Sequence, residues 1–292
     1  MLVHDLPTRH FEVSSPGGKR TVLAWLVLLV TGGQFLLPIL FVTVCFSRVK
    51  RHPVFLNFCA CMIITSVLSC IMFYHDKSVY DDPTKAPSDP VCLVQAALVH
   101  QGVPPLAATA VFTLIYHVWT RVSGRTSEKP LVHSTSLRTA ALMVAPYLVF
   151  AIFGLSASVI VLNNLDSTNS VIRLELYCEL RNNVLSSVRS TFTGIMLLLA
   201  AFFEVRTVIV LRRQALSVVD DVDQAMFMRV VVFGVYVVLG IALSLASLVT
   251  SMVVTDIYIS TLPLATFLVF AWQKDILDVW CFWRREEWHQ LP

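Results

Sequence analysis

The stretch that decides the fold is residues 91–119, VCLVQAALVHQGVPPLAATAVFTLIYHVW, 29 residues without one Asp, Glu, Lys or Arg. Run as a helix it spans ~43 Å, whereas about 20 residues cross the hydrocarbon of a bilayer. Such a segment must tilt or extend past the lipid at one end. It is apolar on all sides and carries Gln95, His100 and Gln101 in its first half. That pattern suits the middle of a helix bundle better than its rim. The expectation is a bundle arranged around this segment.

Composition agrees. The chain has 292 residues, 56% hydrophobic and 14% charged, with mean hydropathy +0.73. A soluble domain carries about 25% charged residues. The charges cluster between long apolar runs, as in a polytopic membrane protein. The net charge of +3 points weakly to any partner. No Lys/Arg-rich block and no finger-type Cys/His spacing points to nucleic acid. Residues 1–20 are polar and show no apolar signal-peptide core, so the first spanning helix is expected to target the chain.

Seven apolar segments separate, at about 21–46, 53–74, 91–119, 139–162, 184–211, 229–252 and 256–272. The last two share the run 230–272, about twice one span, and Thr255-Asp256 supplies the expected turn. None alternates with period two, which excludes a closed β-barrel. The fold class is therefore all-α, a seven-helix membrane bundle. Counting Lys and Arg, with Arg206 and Arg229 at the helix ends included and Arg189 inside the fifth segment left out, gives 14 on the side of the first, third and fifth loops and the C-terminal tail, against 7 on the other. This bias places residues 1–20 outside as an extracellular tail and the C-terminus in the cytoplasm. In residues 273–292, Ile276, Val279, Trp280 and Trp283 fall on one helical stripe. This predicts a short cytoplasmic amphipathic helix lying along the interface, on which Cys281 is a lipidation candidate.

With that orientation, Cys92 and Cys178 both face the oxidising side, where a disulfide persists. A bond between them would pin the longest outer loop over the bundle, although either could pair with Cys70 instead. Cys45, Cys59, Cys61 and Cys70 otherwise read as small packing residues.

The wording of residues 51–69, RHPVFLNFCACMIITSVLS, followed by CLVQAALVHQGVPPLAATAVFTLIYHVW, resembles G-protein-coupled-receptor-like seven-helix proteins of mushroom-forming fungi. The close resemblance covers roughly residues 51–119 and is one of topology elsewhere. It implies an orphan receptor with an unidentified extracellular ligand, a heterotrimeric G protein as partner, and the plasma membrane rather than an endomembrane as residence. The rhodopsin-type motifs are missing. The third segment ends Tyr116-His117-Val118-Trp119-Thr120-Arg121 instead of Asp/Glu-Arg-Tyr. The last reads TLPLATFLVFAW instead of Asn-Pro-x-x-Tyr.

Candidate sites follow from polar groups where the chain is otherwise apolar. Pro104-Pro105 should bend the third helix, as a structural kink or as the wall of a pocket. Gln95, His100 and Gln101 precede that bend, as ligand contacts or as interhelical hydrogen-bonding groups. Arg189, near the start of the fifth segment, either holds an anionic group or snorkels to the headgroups. At the other end Arg121, Arg212, Arg213 and Arg229 are candidates for partner coupling, with anionic lipid as the plainer role. Glu204 and Arg206 are placed in the headgroup region.

No enzyme, metal site or cofactor is expected. His100 alone lies clearly within a span, and GxSxG and HExxH are absent. Lys274 follows the last segment, so no retinal lysine sits at mid-depth. A small-solute transporter is the closer rival, although the segments show neither an internal repeat nor a buried carboxylate for ion coupling. A non-signalling membrane scaffold leaves no distinct mark.

Overall fold

The structure, a computed structural model, describes residues 16–46, 52–75, 90–124, 135–163, 171–173, 178–180, 182–214, 231–240, 242, 252–272, 276 and 279–280. Among the described residues it is a helix bundle with one small hairpin.

The first rod is α1 (Pro16–Leu28), a π-helical stretch π1 (Leu29–Leu36) and α2 (Leu37–Phe46). Next come α3 (Pro53–Ser69) and α4 (Ile71–His75), then α5 (Pro90–Val94), a second π-helical stretch π2 (Gln95–His100) and α6 (Gln101–Gly124). The remaining helices are α7 (Thr135–Asn163), α8 (Asn183–Gln214), α9 (Val231–Gly240) and α10 (Met252–Ala271). Four helices are long and apolar enough to cross a membrane: Arg20–Phe46, Val91–Ser123, Leu137–Asn163 and Val184–Val210. Three shorter apolar helices, Pro53–Ser69, Val231–Gly240 and Ile257–Ala271, lie where the sequence places the second, sixth and seventh segments.

Burial ranks the long helices. In its most apolar stretch Val91–Ser123 is 72% buried, against 33%, 28% and 17% for the first, the one at Leu137 and the one at Val184. The third segment is central, as its charge-free sequence predicts. Leu106, Ala110, Val111, Leu114, Ile115 and Val118 carry its share of the main core. The other three present large apolar side chains outward, such as Leu23, Leu155 and Leu198. That is the surface expected of helices bathed in lipid.

The glycine pair in π1 explains how the first rod packs. A Cβ at Gly32 would stand 2.7 Å from the Leu264 backbone nitrogen of α10, and one at Gly33 would collide with Ser66 of α3. With neither present, the backbones approach closely enough for the Ser66 hydroxyl to donate to the Leu29 carbonyl at 2.7 Å. The Leu37 N–H reaches back five residues to Gly32, the widened ladder of a π-turn.

Several expectations need correction. The described residues are almost entirely helical, but the sequence did not foresee a small hairpin: β1 (Val171–Arg173) and β2 (Cys178–Leu180) pair antiparallel in the loop before α8, with Val171 opposite Leu180. The second segment is broken at Cys70, where the backbone leaves the helical region. Thr255-Asp256 makes no turn, because both lie inside α10. Finally, Ile276 is buried in the main core, and Trp280 stacks on Phe267 with centroids 5.9 Å apart. The Trp280 indole N–H also donates to the Thr43 hydroxyl at 2.9 Å. That part of the C-terminal stripe therefore packs against the bundle. Trp283 and Cys281 lie outside the described residues.

Candidate functional site

The disulfide forms between Cys92 and Cys178. Cys70 is a buried free thiol, so the rival pairing is not adopted, and Cys45, Cys59 and Cys61 are free as well. The bond joins β2 to the start of the third segment. Cys92, Cys178, Leu180, Ala96, Ala97 and Met72 form a small separate core around it. Gln95 is fully buried, and its side-chain carbonyl accepts the Cys178 backbone N–H at 3.1 Å. One of the predicted ligand contacts is therefore used, at its oxygen, to seat the hairpin, while its amide nitrogen has no hydrogen-bond partner.

Two turns further in, the chain meets Pro104-Pro105. In an α-helix the His100 carbonyl bonds the N–H of residue 104, and in a π-turn that of residue 105. Both are proline and have no N–H. The freed carbonyl is met from α8: Nη1 of Arg189 donates to His100 O at 2.7 Å and lies 2.7 Å from Nδ1 and 3.0 Å from Nε2 of the same imidazole. Nη2 lies 3.3 Å from the Ser186 hydroxyl and 3.5 Å from that of Ser190. Arg189 thus turns inward instead of snorkelling. A hydrogen bond to a charged donor contributes about 1.5–3 kcal/mol, the scale needed to offset a freed carbonyl.

Gln101, next to this junction, is 0% exposed, and both atoms of its amide lack a hydrogen-bond partner. The Thr193 hydroxyl, one turn from Arg189 on α8, is unpartnered as well. Pro104 is half-buried. The structure thus joins His100 and Arg189 directly, diverts Gln95 to the hairpin, and leaves Gln101 with donor and acceptor capacity unspent.

At the opposite end, α6 and α8 lock through rings. Phe203 of α8 meets Tyr116 at 5.1 Å and Trp119 at 4.8 Å, and the Arg138 guanidinium lies 4.9 Å over Tyr116. The His52 and His117 rings stack at 3.8 Å. His52 also caps α3, its Nδ1 accepting the Val54 N–H at 3.4 Å. Burial first, and the Arg121 charge second, hold its pKa below the ordinary histidine value. Arg121 is exposed here. Arg212 and Arg213 fall on the last turn of α8 without described side chains, and Arg229 lies outside the described residues.

The sequence did not show how deeply Glu204 is enclosed by protein. It is 5% exposed, packed between helices, and among the described residues neither carboxyl oxygen has a hydrogen-bond partner. A signal existed: Ala200, Glu204 and Thr207 recur at helical spacing and are the buried face of α8 at this end. Ser186 and Ser190 were also missed; they lie one position or one turn from Arg189 and read as ordinary serines. No group of three or more His, Cys, Asp or Glu able to hold a metal is found among the described residues. No protein-family model matches the chain, and no curated protein matches it.

Proposed function

We propose that the protein is a seven-span membrane receptor of the G-protein-coupled plan, with the N-terminus outside, the C-terminus in the cytoplasm, and residence in the plasma membrane. On this reading the three shorter apolar helices complete the seven spans alongside the four long ones. The resemblance of residues 51–119 to the fungal seven-helix proteins supports the same plan. One observation carries it: the Cys92–Cys178 bond seats a hairpin at the head of the most buried helix, beside a polar junction of His100, Arg189 and the unspent amide of Gln101. An extracellular ligand with a hydrogen-bonding polar group would engage that junction under the hairpin. Arg121, Arg212, Arg213 and Arg229 would face a heterotrimeric G protein. Expression with a panel of Gα subunits tests the reading. Recruitment of one of them, lost in Arg121→Ala, is expected. No recruitment by a correctly inserted protein contradicts it.

One observation favours a second reading, a small-solute transporter. Glu204 supplies a buried carboxyl of the kind that ion-coupled transport uses. Uptake of a labelled solute that responds to Glu204→Gln would favour this reading over the receptor.

A further inference from the structure

Glu204 is a buried carboxyl for which no counter-group is found among the described residues. It lies on α8 against α9, where α9 carries Gly234, and a Cβ at that glycine would collide with both carboxyl oxygens. The carboxyl therefore fills a notch that exists because residue 234 has no side chain. One turn away on either side, Ala200 and Thr207 are buried, and the Thr207 hydroxyl is spent on the Phe203 carbonyl at 2.8 Å.

The described charged and titratable groups around this seam have other contacts. Arg206, on the same helix, is exposed and lies 5.6 Å over the Phe202 ring. On α9, Tyr236 is hydrogen-bonded to Thr261 and accepts at its carbonyl from Tyr258 of α10. At the end of α6, His117 stacks on His52 and Arg121 is exposed. On α7, Arg138 covers Tyr116. None of these is a hydrogen-bond partner of Glu204.

Among the described residues an ionised carboxylate enclosed in this way has neither a donor nor a counter-charge, and such burial is strongly unfavourable. Whatever removes the charge must fit a space already closed against the Gly234 backbone. No cluster of further metal ligands stands beside it among the described residues. A proton adds a single O–H bond and needs no such cluster.

We propose that Glu204 is a proton-binding site whose occupied form fills the Gly234 notch and whose emptied form is driven out of it. On release, the carboxyl O–H bond breaks, the proton passes to water, and the carboxylate left behind needs hydration that the closed seam withholds. Proton release and parting of α8 from α9 are then one event. The site is independent of the receptor reading, since a receptor or a transporter could use it.

Infrared spectroscopy of the full chain in lipid nanodiscs at neutral pH tests this without any coupling assay. The wild-type protein is expected to show the C=O stretch of a protonated carboxylic acid, and Glu204→Gln, which keeps shape and neutrality, is expected to lose it. Gly234→Ala fills the notch and should abolish the same band although Glu204 is retained. A neutral-pH spectrum in which Glu204→Gln removes no such band overturns the proposal. A band that survives Gly234→Ala in folded protein overturns the role of the notch. If Gly234→Ala fails to fold, the Glu204→Gln comparison decides alone.

Discussion

Arg189 and Glu204 sit on the same helix, α8, about four turns apart, and the bundle treats them in opposite ways. Near the disulfide, the cation turns inward onto the backbone carbonyl that Pro104-Pro105 leave without a donor. Toward the far end, the carboxyl is buried against a bare glycine and has no partner among the described residues. One charge completes a broken helix, whereas the other depends on its protonation. Burial of an ionisable group in a bundle of this kind therefore has no single meaning. What decides it is whether the facing helix offers an unsatisfied polar group or only a space.

The largest expected effect concerns the anchored end. Breaking the disulfide releases a closure of sequence separation 86, worth on the order of 4–5 kcal/mol in the chain-entropy model and less where a membrane already restricts the chain. Cys92→Ala and Cys178→Ala should each lower surface expression and thermal stability, and the double variant should be no worse than either single one. Additive losses would mean that the two thiols act separately.

Arg189→Met comes next. It keeps the bulk, leaves the His100 carbonyl without its donor, and should cost about 1.5–3 kcal/mol in thermal unfolding. Gly234→Ala should cost about 1–3 kcal/mol through overpacking. In a Glu204→Ala background, which removes the obstructing carboxyl, that penalty should largely disappear; an unchanged penalty would place the clash elsewhere.

The smallest effect belongs to His52. Its folded pKa is depressed, so the folded protein binds fewer protons than the unfolded chain. The corresponding stability is present above the ordinary histidine value and is lost as pH falls below it. Melting of His52→Asn should accordingly depend less on pH across that range than melting of the wild-type protein.

Much of the architecture could be read from the chain because it depends on hydropathy and spacing. The charge-free run 91–119 identified the central helix, and the placement of Cys92 and Cys178 identified the bond. Faces were harder to read. In a soluble helix the polar side marks the surface, but lipid and protein interior are both apolar. Pattern alone could not tell whether Arg189 snorkels or turns inward, or whether Glu204 meets headgroups or packing. The deciding partners, the freed His100 carbonyl and the missing side chain of Gly234, belong to the backbone of other helices. The β1–β2 hairpin escaped for a different reason, because three-residue strands are too short to show alternation.

The most direct test of the contrast along α8 is a double-mutant cycle between Arg189 and Pro104, read as thermal stability in nanodiscs. Pro104→Ala restores an N–H for the His100 carbonyl, so the arginine should lose much of its purpose. The expected result is that Arg189→Met costs less than half as much in the Pro104→Ala background as in the wild-type protein. Equal costs in the two backgrounds would contradict the account, because Arg189 would then be held inward by something other than the carbonyl that the prolines set free.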